Sequence, residues 1–390
     1  MKILMTADTV GGVWNYALEL IGALEDVGVE VALATMGRRL RDDQRVELGA
    51  LGNVELYESE FRLEWMDEPW ADLERAGEWL LGIADRVGPD LVHLNGYVHG
   101  ALEWGCPVIV VGHSCVLSWW RAVRDGPAPN SWDGYRRAVR EGIKGADLVI
   151  APTATMLGSL IEFYGPIEAS WVIPNGRDPA HFEPRGKEQL IFGAGRLWDE
   201  AKGLDLLAEL AAGLAWPVYL AGATDAREGE DRDEVVGEGV ARTIGIVGPD
   251  TERMGAKGAQ LLGRLPARGI AEWVGRASIY AHPAHYEPFG LSALEAGLAG
   301  CALVLGDIPS LREVWGDAAL FVPPGEYEPL REALEVLIDD DTFRRRLAAL
   351  ARERALEYSS ERLGRRYRAA YTEAGRRWAQ RTDVREISCA

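Results

Sequence analysis

The sequence contains few cysteines, and they show no paired spacing. The four stand at Cys106, Cys115, Cys301 and Cys389, and none belongs to a C-x-x-C pattern of the kind that binds zinc or performs redox chemistry. Three of them lie in or beside apolar runs, where a free thiol behaves as a small hydrophobic side chain. The sequence therefore predicts no disulfide framework and favours a cytoplasmic protein.

Long apolar runs are missing as well. The first residues, MKILMTADTVGG, form an apolar stretch that polar and glycine residues interrupt within ten positions, so we expect no signal peptide there. No apolar stretch approaches the ~20 residues that a helix needs to cross a bilayer. We expect no membrane-spanning segment.

Positive charge is scarce relative to negative charge. The formal net charge is −19, and both halves of the chain are acidic. Such a field repels DNA, RNA and anionic lipid at long range, so we expect no nucleic-acid partner. A small anionic ligand remains possible because a few local donors can hold it against the overall field.

What is abundant is alternation of apolar strands with helical segments. The 390 residues are 47% hydrophobic and 26% charged, which indicates a globular protein of two domains. Continuous apolar runs of this kind, with helices between them, predict parallel sheets covered on both faces, hence two doubly wound α/β domains. The runs are KILMT, VEVALAT, VELYE, DLVHL, PVIVVG, DLVIA and WVI, then LIFGAG, PVYLAG, TIGIV, AQLLG, SIYAHP, ALVLG and ALFVP.

The domain boundaries are predicted from breaks in this pattern. We expect an N-terminal domain at 1–178, a linker at 179–188, a C-terminal domain at 189–365 and a final helix at 366–390 that packs back on the first domain. Residues 224–238 are acidic and weakly apolar and predict a surface loop within a long 225–258 insertion. Asp231 and Asp233 form a D-x-D pattern there, which we interpret as solvated since no apolar strand precedes it.

The segment Glu287–Glu295 carries the most specific chemistry. A strand end, a turn at Pro288–Gly290 and a helix from about Leu291 would let Gly290 approach a ligand closely and aim first-turn amides of Leu291 and Ser292 at a phosphate. Glu295, one turn into the helix, could accept hydrogen bonds from a ribose diol. An isolated pair of glutamates is usually solvated. Here Glu295 is flanked by Ala and Leu, so we expect it to be buried with a partner.

This segment resembles the E-x7-E signature of the family 4 retaining glycosyltransferases. Further landmarks occur in the order and spacing of that family: Gly11-Gly12, His113, Ile173-Pro-Asn-Gly176, Gly195-Arg196 and Lys202-Gly203. The resemblance covers essentially the whole chain. It implies a GT-B fold, in which two Rossmann-like domains face each other across a cleft. It also implies transfer of a sugar from a nucleoside-diphosphate sugar to an acceptor hydroxyl, with no metal or other cofactor.

The loop after LIFGAG carries Arg196 and Lys202. A guanidinium fork and an ammonium group near a helix N-terminus would suit a diphosphate. Without the resemblance, both would be interpreted as a solvated cluster with Asp199 and Glu200. The resemblance implies that Arg196 and Lys202 bind the diphosphate of the donor and stabilise the leaving group.

The resemblance implies further donor contacts. Glu287 and His113 would lie near the transferred sugar, Glu295 at the ribose, and the Gly11-Gly12 loop near the donor phosphate. By itself each signal is weak: glycine turns are common after a first strand, and a lone histidine is often structural. The base would lie near Arg264.

Two surface features have less specific interpretations. Trp119 and Trp120 follow the His113 loop and could stack on an acceptor sugar, although packing is the commoner role of tryptophan. Arg136, Arg140 and Lys144 share one face of a predicted helix. Contact with a membrane surface is conceivable there, but an ordinary surface helix is favoured.

Other site types fail on single positions. Gly193-Ala-Gly195 begins a dinucleotide fingerprint that ends wrongly at Trp198. Gly112-His-Ser-Cys-Val116 lacks the last glycine of a nucleophile elbow. The chain also departs from the family at Arg177, where the usual motif is Asn-Gly-Val-Asp, and we expect this substitution to affect the hinge.

Rival functions stay open. A sugar-nucleotide epimerase or a phosphorylase of the same fold would reuse the phosphate site, and a catalytically silent binding protein would retain only the fold. The four charges of Arg196, Lys202, Glu287 and Glu295 argue against the silent protein. The donor sugar, its base, the acceptor and the oligomeric state are not determined by the sequence.

Overall fold

A computed structural model describes residues 1–124, 126–223 and 258–389, with side chains of the last helix described up to residue 382. The acidic stretch 224–238, the Asp231 and Asp233 pattern and the TIGIV run fall outside the described residues, as does most of the predicted 225–258 insertion. The side chain of Cys389 is also outside them.

The chain folds into two compact units. Unit 1 contains Met1–Arg121, Gly126–Gly176 and Ser360–Ala390, and unit 2 contains Ala122–Asp125 and Arg177–Ser359. The chain passes from unit 1 to unit 2 between residues 176 and 177, and it returns to unit 1 between residues 359 and 360.

Unit 1 is built on a seven-stranded parallel sheet in the order β3-β2-β1-β4-β5-β6-β7. Its strands are β1 Lys2–Asp8, β2 Glu30–Met36, β3 Val54–Glu58, β4 Leu91–Leu94, β5 Val108–Val111, β6 Leu148–Ala151 and β7 Ser170–Val172. The helices of this part of the chain are α1 Gly12–Glu25, α2 Asp42–Leu48, α3 Trp70–Val87, α4 Val116–Arg124, α5 Asp133–Gly145 and α6 Ala154–Tyr164.

Unit 2 is built on a six-stranded parallel sheet in the order β10-β9-β8-β11-β12-β13 within the described ranges. Its strands are β8 Glu188–Ala194, β9 Val218–Ala221, β10 Gln260–Leu261, β11 Ala277–His282, β12 Ala302–Gly306 and β13 Leu320–Val322. The helices that follow in the chain are α7 Leu204–Leu210, α8 Ala267–Arg276, α9 Leu291–Leu298, α10 Pro309–Trp315, α11 Tyr327–Asp339, α12 Asp341–Ala355 and α13 Ser360–Cys389.

The prediction of two doubly wound α/β domains is confirmed. Each apolar run of the first half contains a strand, and so does each run of the second half that lies within the described residues. The central strands are buried along their length, β12 at every position, because helices cover both faces of each sheet.

Both sheets reverse their strand order at a single place. In unit 1 the switch lies between β1 and β4, and in unit 2 between β8 and β11. Loops that leave the carboxyl ends of such strands are where open parallel sheets bind ligands. The loop after β1 carries Gly11 and the loop after β8 carries Arg196, so two of the sequence motifs stand at the switch points.

The last helix, α13, belongs to unit 1. An added Cβ at Gly364 would lie 2.8 Å from the carbonyl oxygen of Ala23 in α1, and Arg381 pairs with the buried Asp147 at 3.0 Å. Tyr367 and Tyr371 are almost fully buried. No helix in the described part of the chain has the length and apolar character needed to span a bilayer.

Candidate active site

The loop that follows β8 places Lys202 at the end of a short helical turn, Glu200–Lys202. Asp199 caps this turn by accepting a hydrogen bond from the Ala201 amide at 3.1 Å. Gly203 then adopts a left-handed conformation with φ of 61°, and an added Cβ would lie 2.4 Å from the Pro283 carbonyl oxygen. Only glycine fits this reversal, which brings Lys202 against the loop that follows β11.

Lys202 meets Glu287 across these two loops. The distance from Lys202 Nζ to Glu287 Oε2 is 2.8 Å, and each side chain is only 15% exposed. The residues are 85 positions apart in the chain. Lys202 is therefore not part of a solvated cluster with its sequence neighbours, which was the alternative interpretation of its motif.

Glu287 also accepts hydrogen bonds from its own loop and strand. Its Oε1 accepts from the Gly290 amide at 3.1 Å, and its Oε2 lies 3.3 Å from His282 Nε2. Burial alone would raise the pKa of this carboxyl, but Lys202 and His282 outweigh it and hold the pKa well below its usual range. Glu287 is therefore a fixed, ionised acceptor at neutral pH.

His282 was not among the predicted site residues. It is the last residue of β11 and is 1% exposed. A histidine at the carboxyl end of a buried strand, five residues before a predicted site carboxylate, is the signal that could have identified it.

Arg196 remains closer to solvent than Lys202. It pairs with Asp199 at 2.6 Å, and 38% of its side chain is exposed. Its guanidinium carbon lies 5.1 Å from the centroid of the Trp198 ring, a distance at which a cation–π contact stabilises the position. The pairing with Asp199 that the alternative interpretation describes is therefore present for Arg196, and its binding of a diphosphate stays a prediction.

Glu295 is buried and has a protein partner. It lies in α9, is 7% exposed, and forms an ion pair with Arg177, whose side chain is equally buried. Arg177 is the residue at which the chain departs from the family motif, and its role was missed because 118 positions separate the two. Its amide donates to the Tyr358 carbonyl at 3.0 Å, so the backbone there is fixed too.

The start of α9 has the geometry expected for close approach to a ligand. Gly290 precedes the helix with φ of 90°, a conformation that side chains rarely adopt. Its own amide is used by Glu287, and Leu291 and Ser292 supply the first-turn amides of the helix. Arg264 is exposed in the loop after β10.

In unit 1, His113 lies with Asn95 and His93 at the carboxyl ends of β4 and β5. His113 Nε2 is 2.8 Å from Asn95 Oδ1, and His93 Nδ1 is 2.9 Å from the hydroxyl of Tyr371 in α13. Neither Asn95 nor Tyr371 was predicted to belong to this cluster. The motif DLVHLN places His93 and Asn95 at the end of a strand, and this was the available signal.

The remaining predicted residues lie apart from these contacts. The Gly11 amide donates to Asp8 Oδ1 at 2.8 Å, which closes the turn before Gly12 and α1. Trp119 and Trp120 are half-buried in α4 and contact each other edge to face, with ring centroids 6.1 Å apart. Their role at an acceptor stays a prediction.

The basic face of α5 is engaged by groups of its own unit. Arg136 pairs with Asp133 at 3.1 Å and Lys144 with Glu141 at 2.9 Å, and Arg140 donates to the Tyr164 carbonyl. These contacts suit the ordinary surface helix that the sequence favours.

The buried His93 makes stability depend on pH. Burial lowers its pKa to about 3, whereas an unfolded histidine has a pKa of about 6.5. The unfolded chain therefore binds more protons between these values, and stability is lost as the pH falls below about 6.5. At about pH 5 this residue lowers the free energy of unfolding by ~2 kcal/mol relative to neutral pH.

We expect a His93→Gln variant to show a smaller decrease in melting temperature than the wild type when the pH is lowered from about 7.5 to about 5. Glutamine can still donate toward Asn95 and accept from Tyr371, so folding is retained. Equal decreases in both proteins, measured by thermal unfolding, would contradict the assignment.

Comparison with known proteins agrees with this architecture. Two doubly wound α/β units with polar loops after their switch-point strands are typical of nucleotide-binding α/β proteins. Residues 10–181 match the family model described as Glycosyltransferase Family 4, and residues 176–354 match Glycosyl transferases group 1. The chain belongs to the family 4 glycosyltransferases, as the sequence motifs predicted.

Two curated relatives illustrate the range of the family. The chain is 29% identical over 287 residues to glycogen synthase of Mycobacterium tuberculosis, which covers 68% of this chain and 64% of that protein. It is 28% identical over 387 residues to D-inositol 3-phosphate glycosyltransferase of Frankia alni. That alignment covers 88% of this chain and 90% of the relative. The chain thus spans just under two thirds of the glycogen synthase.

Solved structures share the fold over nearly the whole chain. Sucrose-phosphate synthase from Thermosynechococcus elongatus superposes with a TM-score of 0.78 at 18% identity and covers 96% of this chain and 98% of its own. The structure of Anabaena HepE in complex with UDP-glucose superposes with a TM-score of 0.74 at 20% identity. The superposition covers 95% of this chain and 99% of HepE. The fold is GT-B, as predicted.

Proposed function

We propose that this protein transfers a sugar from a nucleoside-diphosphate sugar to an acceptor hydroxyl, with retention at the anomeric carbon and without a metal ion. The observation that carries the proposal is the Lys202–Glu287 pair, which joins the two switch-point loops of unit 2. A lysine and an ionised carboxylate that are both 15% exposed form a polar site of the kind that binds substrates.

The diphosphate would be held by opposite charges and amides. Arg196 offers a planar fork, Lys202 a point charge, and Leu291 and Ser292 the first-turn amides of α9. Negative charge grows on the leaving phosphate oxygen as the bond to the sugar breaks. Fixed positive groups stabilise this charge without reorganising, which is the contribution a divalent metal makes in other enzymes.

The remaining contacts would orient the donor. Glu295 would accept hydrogen bonds from the ribose, with Arg177 as its counterion, and Glu287 would accept from hydroxyls of the sugar. His113 of unit 1 would contact the sugar, as the resemblance implies. The acceptor hydroxyl forms the new bond on the face that the diphosphate leaves, and its proton passes to the leaving phosphate oxygen. No separate base is required.

The donor is proposed from the relatives. HepE was crystallised with UDP-glucose, and the Mycobacterium relative is a glycogen synthase, so a nucleoside-diphosphate hexose is the first candidate and a carbohydrate hydroxyl the first acceptor. The identity of the sugar, base and acceptor is to be determined by experiment.

A thermal-shift screen of UDP-, GDP-, ADP- and TDP-glucose tests the proposal. At a ligand concentration ~100 times its Kd, we expect the matching donor to stabilise the protein by about 2.7 kcal/mol, which gives a rise in melting temperature of a few degrees. Lys202→Met should make the rise smaller without abolishing it, because Lys202 acts mainly on the charge that grows as the bond to the sugar breaks. If no sugar nucleotide raised the melting temperature, the proposal would be wrong.

Product analysis distinguishes the rival enzymes. Slow release of the free sugar in its original anomeric form, with the nucleoside diphosphate, supports a retaining transferase. Release of an isomerised sugar would identify an epimerase, and release of a sugar phosphate in the presence of inorganic phosphate would identify a phosphorylase. Binding without any turnover would identify a silent protein.

A further inference from the structure

Asn95 follows β4 directly, and the orientation of its side-chain amide is fixed by the strand beside it. Its Nδ2 lies 2.7 Å from the backbone oxygen of Thr6, and its backbone amide donates to Thr6 Oγ1 at 2.9 Å. A backbone carbonyl can only accept, so the amide atom that faces it must be the NH2 group. The other atom, Oδ1, is therefore an acceptor with a known direction.

Two histidine rings point at this oxygen. His113 Nε2 lies 2.8 Å from Asn95 Oδ1, and His93 Nε2 lies 3.3 Å from it. Because Oδ1 can only accept, the short contact requires a proton on His113 Nε2. The longer contact favours a proton on His93 Nε2 as well, which also lies 3.4 Å from the Tyr16 hydroxyl. A neutral imidazole has one N–H proton, so its Nδ1 then holds the lone pair.

The partner on the far side of His93 is consistent with this assignment. Tyr371 of α13 has its hydroxyl 2.9 Å from His93 Nδ1, where it can donate to the lone pair. Burial lowers the pKa of both His93 and His113 to about 3, so neither ring carries a second proton at neutral pH. The rings of Tyr16 and His113 meet edge to face with their centroids 4.4 Å apart, and this contact restricts the tilt of His113.

We infer that Asn95 is a positioning residue that fixes His113 in one tautomer, with the proton on Nε2 and the lone pair on Nδ1. In that tautomer the free edge of His113 accepts a hydrogen bond and does not donate one. This second part rests on the proposed function: the group that meets Nδ1 is a hydroxyl of the transferred sugar. A sugar with a carboxylate or carbonyl at that position is rejected, because two acceptors face each other without a proton.

Nitrogen NMR of protein labelled with ¹⁵N-histidine tests the tautomer directly. His113→Gln and His93→Gln assign the two rings. In the wild type we expect His113 to show a protonated Nε2 and an unprotonated Nδ1 from about pH 8 to about pH 5, because the ring stays neutral over that range. A protonated Nδ1, or an averaged mixture of tautomers, would overturn the inference.

Substitution of Asn95 gives a second, independent readout. Asn95→Asp keeps the acceptor and adds a negative charge beside both rings, so we expect the His113 ring of this variant to become protonated at a measurably higher pH. Tyr371→Phe is the matched control: it removes the partner of His93 and should leave the His113 tautomer unchanged. A His113 titration that is the same in Asn95→Asp and wild type would contradict the role of Asn95.

The sugar contact is tested by adding ligand to the labelled protein. We use UDP and UDP-glucose, then GDP-, ADP- and TDP-glucose with their diphosphates. For the nucleotide that binds, the sugar form should shift the His113 Nδ1 resonance and the diphosphate alone should not. If the sugar form binds and Nδ1 does not move, the contact is wrong. If none binds, the proposed function fails while the tautomer result stands.

Discussion

A Lys202→Met variant is expected to lose about a thousandfold in kcat/KM, or ~4 kcal/mol of transition-state stabilisation. Lys202 is the buried cation nearest to Glu287, at 2.8 Å, and methionine keeps the length of the side chain without its charge. The departing diphosphate would lose a fixed counter-charge, so the fall should appear mainly in kcat. Initial rates of donor hydrolysis without an acceptor measure it.

Loss of folding must be separated from loss of catalysis. Lys202→Met leaves the buried Glu287 carboxylate without its cation, and breaking a buried pair costs ~3–5 kcal/mol of stability. The double variant Lys202→Met/Glu287→Gln removes both charges and should regain stability without regaining activity. Recovery of activity in the double variant would contradict the role given to Lys202.

An exposed ion pair of the same unit provides the control for charge removal. Arg276 pairs with Glu188 at 2.8 Å on the surface, where its side chain is 36% exposed. Exposed pairs contribute little to stability. Arg276→Ala should therefore leave kcat/KM unchanged, and a large fall in this variant would show that the assay responds to any lost cation.

An Arg177→Met variant is expected to destabilise unit 2 by about 3 kcal/mol. Arg177 is the ion-pair partner of Glu295, and both side chains are 9% exposed, so the variant leaves a carboxylate buried without its partner cation. We expect the loss of stability to appear first around the ion pair, in α9. Hydrogen exchange of the α9 amides measures it without assuming that both units unfold together.

A double-mutant cycle isolates the pair. Glu295→Leu combined with Arg177→Met replaces two charges with apolar side chains, and such replacements of buried pairs are often neutral. We expect exchange in the double variant to return close to that of the wild type. If the double variant is as destabilised as the two single changes added together, the pair has no coupling and the assignment is wrong.

Glu295 also has a proposed role in ligand binding, which can be tested separately from its ion pair with Arg177. If Glu295 holds the ribose as proposed, Glu295→Leu should lower the affinity for a nucleoside diphosphate and abolish the preference for ribose over 2′-deoxyribose. A binding preference that survives in Glu295→Leu would remove Glu295 from the ribose site, even if the ion pair with Arg177 were confirmed.

Much of the fold could be predicted because its signal is local. Apolar runs such as PVIVVG and ALVLG need only their own composition to indicate strands buried on both faces. The glycine at Gly290 and the apolar residues after it likewise predict the turn and the start of α9. The motif order then predicted the family, and the comparisons confirm it.

The contacts of the site could not be predicted in the same way. The Lys202 motif did not show whether this side chain is solvated or buried, because its partner Glu287 lies 85 residues away. Arg177 was visible only as a departure from a motif. Asn95 was marked only by its place at a strand end in DLVHLN, and no pattern connected Tyr371 with His93, because tertiary packing alone brings them together.

The sequence by itself determined the two α/β domains, the family and the charged residue types at the ends of particular strands. These follow from hydrophobic periodicity and from short motifs, which depend on neighbours along the chain. The tertiary structure decided which charges meet and which histidine nitrogen bears a proton. Those properties depend on distances of a few ångströms between remote residues and on burial, which sets how strongly each charge and hydrogen bond acts.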